Sequence, residues 1–581
     1  MFLSRLKESR YATLILASIF AFTLFLQCCY FHYQAFHSIL ISSLWNDPVA
    51  FFTFYTPKIS ISLFIASFVF LFKRKSWAIY VSFIVSIWCI AELVYYRANG
   101  IFLDAFSFTM VGNMDGFWDS IFVFIYINDF IIFVPTLIIL IVYYLFNDKA
   151  RKLSLYVSAI LICCTFHVMS VKGIQLLSIR NQFPHEKNYY NPFNKDSILN
   201  FWGFTNYDYI KQTSLIHGLV NETKNLILLP FENNNYVMSD LEKQDANEFI
   251  NQKSIYNHHN NNLIIILVES FENWAITEYT MPNIYHFIKE NDNILYHKRI
   301  KKQTKGATSA DGQMIINTGL LPIKSGATCY QYPYNVYPAL SKLYNSSVGL
   351  IPGNLGTWNQ KRMSDAYGFK ENILNPYSDD SIMVTQLNDV KHKYDYILAI
   401  TMASHSPFKF CAQRSQLELA YDIPSDISYY LKSINFTDTH LGSFLSSIQS
   451  DSILRNSTIV ITGDHTIFPS EIRKEFSDYC KANNLDYKVE ENYCPLIIYS
   501  PNIKEKTIVD EEAYQMDIYP TILNVIGAED YYWKGFGVNL LDSVARQNRP
   551  ISPEEAFELS DKLIRANYFK EIEDSLYSTI K

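Results

Sequence analysis

The sequence predicts a protein of two parts: about five membrane-spanning helices, then a large α/β domain on a largely parallel central sheet. The first third of the 581 residues carries nearly all the long apolar runs, and the rest has the mixed pattern of a globular domain. In that second part, short β-branched runs alternate with helical patterns. Polar side chains directly follow four of these runs, as expected at the carboxyl edge of a parallel sheet.

The membrane region is predicted from five segments that approach the roughly 20 apolar residues a bilayer-spanning helix needs. They lie near residues 11–31, 51–72, 77–96, 128–146 and 153–171. The aromatic stretch 101–127 is expected to lie along the membrane interface or to hold a further pair of crossings. This region is interpreted as a membrane anchor.

Lys and Arg in the short flanks predict the orientation, because these residues resist translocation. Along the chain, the five flanks carry three, one, three, one and three such residues. The flanks with three contain Arg5, Lys7 and Arg10, then Lys73, Arg74 and Lys75, then Lys149, Arg151 and Lys152, and the flanks with one contain Lys58 and Arg97. The alternation predicts a cytoplasmic N-terminus and places everything beyond about residue 172 outside the cytoplasmic membrane. An extra pair of crossings would not change that side.

Three further segments follow the last span. Residues 172–260 form a connector rich in Tyr, Phe and Trp, which we expect to pack on the globular domain that follows. The domain is predicted at 261–545, after an Asn-rich turn, and residues 546–581 are predicted to form a helical tail. One or two disulfides are expected if the domain is exported, with the pairing left open among Cys329, Cys411, Cys480 and Cys494.

The clearest strands of the domain are predicted at 263–268, 348–352, 394–401, 457–462 and 494–500. The polar residues that follow four of them are Glu269, Ser270, Asn354, Ser404, His405, Asp464 and His465. Ligands bind outside the carboxyl ends of the strands in open parallel sheets. The sequence therefore predicts a site at this edge.

A metal site is predicted where Asp464 and His465 follow a buried strand and a turn glycine. A carboxylate and an imidazole suit Mn²⁺ or Zn²⁺, with Glu269 supplying a second oxygen from a neighbouring strand end. Taken singly, each could instead cap a helix or make a structural hydrogen bond. Their occurrence together favours the metal.

A nucleophile is predicted in the segment KGATSADGQMIINTGLLPI, which has the pattern of a loop that enters a helix, with Gly306 at the bend and Gly319 at the end. A hydroxyl at a helix N-terminus lies near the positive end of the dipole, which favours an alkoxide and a phosphate bonded to it. A divalent cation would lower the pKa of the hydroxyl further, which makes Thr308 a candidate nucleophile. The alternative is that Thr308 or Ser309 only caps the helix.

A proton donor is predicted in TMASHSPF, where His405 lies just past a strand. Its expected role is proton transfer to the leaving group or a hydrogen bond to a phosphate oxygen. The alternative is a histidine with a purely structural role.

Together these motifs resemble the lipoteichoic acid synthase and phosphoglycerol transferase branch of the sulfatase (alkaline phosphatase) superfamily. The resemblance covers the whole architecture and rests on LIIILVESFENW, GATSADGQ, GTWN, TMASHSPF, ITGDHT, QMDIYPTILNVIG and GFGVNLL. It implies a sulfatase-like fold for the outer domain.

The resemblance also implies the chemistry. It implies a divalent cation, with Mn²⁺ as first choice and Mg²⁺ or Zn²⁺ as alternatives, bound by Glu269, Thr308, Asp464 and His465. Thr308 is the implied nucleophile and His405 the implied substrate contact. The implied reaction passes a phosphoglycerol group from a phospholipid through Thr308 to an envelope glycan or lipid.

Two positions depart from the pattern of the family. A histidine usually stands where Ile351 or Pro352 is found, and an arginine usually follows the WN pair where Gln360 is found, with Lys361 and Arg362 just after. These positions bind the phosphoglycerol group in the family, so the donor head group is left open. The candidate substrate contacts are Asn354, Trp358 and Asn359.

Other functions are weighed against this one. A phosphoethanolamine transferase or a sulfatase-like phosphodiesterase would share the fold, the metal and the nucleophile. A sulfatase would need C/S-x-P-x-R, which TSAD at 308–311 lacks. A net charge of -7 argues against nucleic acid. A transporter or a non-catalytic binding protein fits less well, since the ionisable groups lie outside the spans and all four proposed ligands are present.

Overall fold

The computed structural model describes residues 12–37, 48–69, 76–99, 102–103, 124–145, 236–251 and most of 262–580, with short stretches between 159 and 219. The described residues fall into two compact units that divide near residue 230. Each unit is described by itself.

The N-terminal unit is helical. Its helices are α1 (Ala12–Phe36), α2 (Pro48–Val69), α3 (Trp77–Asn99) and α4 (Val134–Leu145), which continues a 3-10 helix at Ile127–Phe133. Three stretches within them are long and apolar enough to cross a membrane: Ile15–Phe36, Trp77–Arg97 and Ile127–Tyr144. Most of the fifth predicted span and most of 101–127 lie outside the described residues.

The assignment of Lys58 to a flank between two spans was wrong. Lys58 lies inside α2 and is fully buried; its Nζ donates to the Phe54 carbonyl at 3.0 Å and lies 3.7 Å from the centre of the Phe54 ring. The residues between α1 and α2 contain no Lys or Arg in the sequence. Removing Lys58 from the count increases the charge difference between the two sides.

The connector was expected to pack on the catalytic domain, and this is wrong for its described residues between 210 and 216. Residues 172–209 lie outside the described part of the chain. Ile210, Leu215 and Ile216 pack in one apolar cluster with residues of α1 to α4. The described residues from 236 onward do pack on the second unit: α5 (Asp240–Asn247) precedes Phe249, whose ring contacts Trp533 with 6.4 Å between centroids. The three apolar side chains between 210 and 216 complete the cluster formed by the helices, and the aromatic-rich sequence around them does not reveal that they pack there.

The second unit is built on a nine-stranded sheet. Its strands are β1 (Leu263–Val268), β2 (Ile294–Lys301), β3 (Ser347–Pro352), β4 (Glu371–Asn375), β5 (Tyr396–Ile400), β6 (Thr458–Gly463), β7 (Cys494–Tyr499), β8 (Thr507–Val509) and β9 (Ala513–Tyr514). They run in the order β4-β3-β5-β1-β6-β7-β2-β8, and β9 pairs with β2. The pairs from β4 to β6 are parallel, whereas β7 is antiparallel to both neighbours. The largely parallel sheet is confirmed.

The strands that were predicted are the apolar ones at the centre of the sheet. All six residues of β1 are buried, and so are all six of β6 and of β7, as expected for strands covered on both faces. The missed strands have different chemistry: β2 reads ILYHKRIK, and β4 has an exposed or half-exposed side chain at four of its five positions. Such strands contain few β-branched residues, so the sequence pattern that predicts strands is weak in them.

Helices cover the sheet on the described part of the chain. The remaining ones are α6 (Pro282–Glu290), α7 (Thr308–Thr318), α8 (Thr328–Gln331), α9 (Gln360–Tyr367), α10 (Asp380–Val390), α11 (Lys409–Ala412), α12 (Ser425–Ser447), α13 (Ser470–Asn483), α14 (Ile518–Ile526), α15 (Ser543–Gln547), α16 (Pro553–Ala566) and α17 (Tyr568–Ile580). Gly319 ends α7 with φ 66°, in the left-handed conformation that favours glycine there.

A buried ion pair holds the chain after β6. The Glu272 carboxylate accepts the backbone N–H groups of Ile467 and Phe468 at 2.9 and 3.1 Å, and two guanidinium nitrogens of Arg473 at 2.5 and 2.6 Å. The indole N–H of Trp274 donates to the same carboxylate. Glu272 is fully buried, so its charge depends on these donors.

Replacing Arg473 by Ala is expected to lower the free energy of unfolding of this unit by about 3–5 kcal/mol, because the Glu272 carboxylate would stay buried without its counter-charge. Urea unfolding of the full-length protein in detergent, followed by tryptophan fluorescence, measures the change. The matched control is Lys361→Ala, whose pair with Asp365 at 2.7 Å is more than half exposed and should contribute little. Equal stability of both variants would contradict the role given to the pair.

Candidate functional site

Three adjacent parallel strands bring the predicted site residues to one edge of the sheet. Glu269 follows β1, His405 lies beyond β5, and Asp464 with His465 follows β6. β1 pairs with β5 on one side and with β6 on the other, in register up to Val268 opposite Gly463. The parallel pairing therefore delivers side chains that are distant in sequence to one place.

Glu269, Asp464 and His465 form a compact buried group. Each offers one ligand atom, and the three atoms lie within 4.8 Å of one another. His465 Nε2 is 3.4 Å from Glu269 Oε1 and 3.5 Å from Asp464 Oδ2. The three side chains are 5% exposed or less, so their charges act on each other with little screening by water.

The charges in this group shift one another's pKa values. Burial and the neighbouring Glu269 carboxylate raise the pKa of Asp464 to about 7. Burial alone would lower the pKa of His465, but the two carboxylates outweigh it and raise that pKa to about 9. Burial likewise opposes ionisation of Glu269, yet its hydrogen bond and attraction to His465 hold its pKa well below the usual range.

Backbone groups at the strand ends orient the two carboxylates. Asp464 Oδ1 accepts the backbone N–H of Ser270 at 2.9 Å and that of His465 at 2.7 Å. Ser270 has φ 51°, and its hydroxyl donates to Glu269 Oε1 at 2.8 Å. The backbone N–H of Glu269 donates to Thr401 Oγ1 at 3.0 Å, which links β1 to the end of β5.

Helix α7 approaches this group closely because it carries a glycine. A Cβ atom at Gly312 would lie 2.4 Å from the Asp464 carbonyl oxygen, closer than real Cβ atoms come. The same carbonyl oxygen accepts Nε2 of Gln515 at 2.7 Å. Both residues lie in motifs named above, but neither received a role there, because a glycine in the first turns of a helix indicates only reduced helix propensity.

The N-terminus of α7 places the Ser309 hydroxyl beside the group. Thr308 is the first residue of the helix, as predicted. The hydroxyl that contacts the acidic group is that of Ser309, which donates to Glu269 Oε2 at 3.2 Å and lies 3.3 Å from His465 Nε2. The sequence suggested only a capping role for Ser309. Its position next to Thr308 was the one feature that could have indicated a contact with the acidic group.

Asp311 shapes the loop that precedes Thr308. Its Oδ2 accepts the backbone N–H groups of Lys305 and Ala307 at 2.9 and 3.2 Å. Burial raises the pKa of Asp311 to about 7. This carboxylate fixes the entry into α7 and hence the positions of Thr308 and Ser309.

His405 lies in a tight turn beyond β5. Its backbone N–H donates to the Met402 carbonyl at 3.1 Å, and its Nδ1 lies 2.7 Å from the Ser406 carbonyl oxygen. The preceding Ser404 donates its hydroxyl to the Glu269 carbonyl at 2.5 Å.

The candidate substrate residues after β3 form a turn with its own contacts. Asn354 Oδ1 accepts the backbone N–H groups of Gly356 and Thr357 at 2.8 and 3.1 Å. Asn359 Nδ2 donates to the Cys329 carbonyl at 2.9 Å, and the Trp358 ring faces that of Tyr330 at 6.5 Å between centroids. The structure thus gives the Asn354 oxygen a turn-forming role and fixes the turn to α8.

The three residues after this turn, of which the last two are cationic, each have contacts of their own. Gln360 is buried and donates to Ser364 Oγ at 3.3 Å. Lys361 pairs with Asp365, and the Arg362 guanidinium lies 4.9 Å from the centre of the Tyr334 ring.

Cys329, Cys411, Cys480 and Cys494 are buried free thiols. The structure therefore gives no support to the disulfides expected between them.

The group at the sheet edge fits one divalent cation. Two carboxylates and one imidazole, with a hydroxyl at hydrogen-bond distance, are oxygen and nitrogen donors of the kind that Mn²⁺ and Zn²⁺ accept. A cation would also neutralise the two carboxylates, which otherwise share a buried space.

Comparison with known proteins gives two family matches. Residues 261–528 match the Sulfatase family, and residues 2–214 match the family described as Lipoteichoic acid synthase N-terminal domain. Among curated relatives, a lipoteichoic acid synthase of Staphylococcus saprophyticus is 23% identical over 552 residues, covering 88% of this chain and 82% of that protein. Lipoteichoic acid synthase 1 of Bacillus subtilis is 21% identical, covering 81% and 76%.

One solved structure matches along most of the chain. The lipooligosaccharide phosphoethanolamine transferase A from Neisseria meningitidis, an integral membrane protein, is similar with a TM-score of 0.50 and 11% identity. The match covers 88% of this chain and 96% of that one. At this identity the likeness concerns the fold alone.

Mn²⁺ affinity is expected to rise with pH. Binding requires a neutral His465 and an ionised Asp464, whose pKa values are about 9 and about 7, so bound protons must leave when the metal enters. The affinity should fall about tenfold per pH unit below 9 and more steeply below 7, where a second proton must leave.

Titration calorimetry of the full-length protein with MnCl₂ between pH 6 and 9 measures this dependence. Asp464→Asn, which removes a charged ligand, should abolish binding at every pH. An affinity that is the same at pH 6 and pH 9 would contradict the assignment of these residues as ligands.

Proposed function

The chain belongs to the lipoteichoic acid synthase branch of the sulfatase superfamily, and we propose on that premise that it transfers a phosphoglycerol-type group from a phospholipid to an envelope glycan or lipid. It is an enzyme of the phosphoglycerol transferase kind. The observation that carries the proposal is the buried Glu269, Asp464 and His465 group with the N-terminus of α7 beside it.

The proposed metal ligands are Glu269, Thr308, Asp464 and His465, with Mn²⁺ as the preferred ion and Mg²⁺ or Zn²⁺ as alternatives. A bound cation supplies positive charge that favours the ionised hydroxyl and balances the phosphate. The three buried ligands support this proposal, because they come from two neighbouring strand ends and are already close together. The helix N-terminus adds backbone N–H groups suited to a phosphate.

The proposed reaction has two steps through a phospho-threonine. In the first, the already ionised Thr308 Oγ bonds to phosphorus, the bond from phosphorus to the diacylglycerol oxygen breaks, and His405 gives a proton to that oxygen. In the second, an acceptor hydroxyl bonds to phosphorus and gives its proton to His405, while the bond to Thr308 Oγ breaks and leaves that oxygen ionised again. This role for His405 is supported by its place beyond β5, in a turn whose Ser404 hydroxyl donates to the Glu269 carbonyl.

Head-group selection is assigned to the turn after β3, with Trp358 and Asn359 as substrate contacts and Asn354 as the residue that shapes the turn. Phosphoethanolamine transfer is the second candidate. The observation that favours it is the neutral Gln360, buried and bonded to Ser364 where the family has an arginine.

The protein is membrane-bound, and we assign it five spans with a cytoplasmic N-terminus and an outer catalytic domain. The flank charges support this, and more strongly without Lys58. A phospholipid donor and an envelope acceptor are the proposed partners, on the outer side of the membrane.

Incubation with Mn²⁺ and phosphatidylglycerol is expected to add phosphoglycerol to the peptide that contains Thr308. Mass mapping of the full-length protein should find this adduct in wild type and in Ser309→Ala, and should not find it in Thr308→Ala. Ser309→Ala is the matched control, because Ser309 has the neighbouring hydroxyl and contacts Glu269. An adduct that survives in Thr308→Ala and is lost in Ser309→Ala would move the nucleophile to Ser309.

The same experiment with a mixed phospholipid extract separates the two candidate functions. A phosphoethanolamine mass on Thr308 would retain the mechanism and change the donor. Neither adduct, with no diacylglycerol released, would reject the transferase.

Membrane-impermeant maleimide is expected to label Tyr377→Cys in intact cells, because Tyr377 is 71% exposed and lies in the domain assigned to the outside. The four native cysteines of that domain are buried and give little background. Ser4→Cys in the N-terminal flank is the control and should be labelled only after permeabilisation. The opposite pattern would reverse the orientation.

A further inference from the structure

We propose that Asp380, the first residue of α10, is a positioning residue for the reaction, because its carboxylate holds the backbone that presents His405. The inference rests on the proposed role of His405. Asp380 lies far from the motifs in sequence and is 1% exposed.

The contacts of Asp380 go to the chain just before His405. Its Oδ1 accepts the backbone N–H groups of Met402 at 2.7 Å and Ala403 at 3.2 Å. Two consecutive N–H groups that converge on one oxygen fix the direction of the chain at that point. Its Oδ2 accepts the hydroxyl of Thr437 from α12 at 2.5 Å, which orients the carboxylate itself.

The turn held in this way is tied to the acidic group on its other side. Thr401 Oγ1 accepts the backbone N–H of Glu269, and Ser404 donates to the Glu269 carbonyl. The backbone N–H of His405 then donates to Met402, one of the two residues that Asp380 binds. Asp380 therefore acts together with Thr401 and Ser404 to set where this turn places the imidazole relative to Glu269.

The neighbouring Asp379 offers a matched control. Its Oδ1 accepts the backbone N–H of Ser381 at 2.9 Å as the N-cap of α10, and its Oδ2 binds Arg414. These contacts stabilise the same helix end without reaching the turn of His405. Loss of Asp379 should lower stability and leave catalysis intact.

The variants are Asp380→Ala, Asp380→Asn and Asp379→Ala in the full-length protein, assayed with Mn²⁺ and bis-p-nitrophenyl phosphate. This synthetic phosphodiester needs no particular lipid donor. We expect Asp380→Ala to lower kcat by about 10- to 100-fold with an unchanged Mn²⁺ affinity. Asp380→Asn should retain most of kcat, because its carbonyl oxygen still accepts both N–H groups and its amide can donate to Thr437.

A double variant tests whether Asp380 acts through His405. In a His405→Ala background, Asp380→Ala should cause little further loss of kcat, because the group it positions is gone. Additive losses, an equal kcat in Asp380→Ala and wild type, or a loss of kcat in Asp379→Ala as large as in Asp380→Ala would each overturn the proposal.

Hydrogen exchange separates this inference from the proposed function. The amides of Met402 and Ala403 should be protected in wild type and in Asp380→Asn, and should exchange faster in Asp380→Ala. If phosphatidylglycerol is not a donor but the synthetic diester is cleaved, the proposed function fails and the kinetic comparison still decides the role of Asp380. If wild type cleaves neither substrate, the catalytic role is overturned together with the proposed function.

Discussion

Glu269 and Asp464 place two carboxylates in a space nearly closed to water, beside a single imidazole. Two like charges so close and so deeply buried oppose each other's ionisation, which is why the pKa of Asp464 rises to about 7. His465 offsets part of this repulsion and is itself held in its charged form, with a pKa near 9. The group keeps its charge balanced with bound protons, and a divalent cation would replace those protons.

Close packing of three chain segments makes this arrangement rigid. A Cβ atom at Gly463 would lie 2.8 Å from the Phe271 carbonyl oxygen, and one at Gly312 would lie 2.4 Å from that of Asp464. β1, β6 and α7 therefore meet at separations that side chains would prevent. Glu272 and Arg473 then fix the chain just past His465. The site residues are held by the backbone more than by one another.

The sequence predicted the central strands and the buried acidic group better than the outer strands and the residues that support the site. The five predicted strands are present because strands buried on both faces need uninterrupted apolar side chains, and the proposed ligands directly follow two of them. β2 was missed because its charged residues obscure the β pattern. Asp380 lies outside the motifs and was missed, and Gln515 opens a motif but received no role. The partners of both are backbone groups 22 and 51 residues away, and no local pattern encodes such contacts. Lys58 was misplaced because a charge inside an apolar helix resembles a helix end.

The turn after β3 differs physically from the buried group. Trp358 and Asn359 are consecutive non-glycine residues with φ of 52° and 53°, a conformation that costs about 1–2 kcal/mol per residue. The contacts of Asn354, Asn359 and Trp358 offset that cost and keep the turn in place. Strain of this kind persists where the surroundings fix it, and it is common at ligand-binding sites.

In the proposed function, the chemistry would reside at the rigid ends of β1, β5 and β6, and the head group would be selected by the separate turn after β3. Under the proposed function, such a division would let one catalytic centre serve donors with different head groups, and Gln360 would then bear on the donor and leave the proposed metal ligands unaffected.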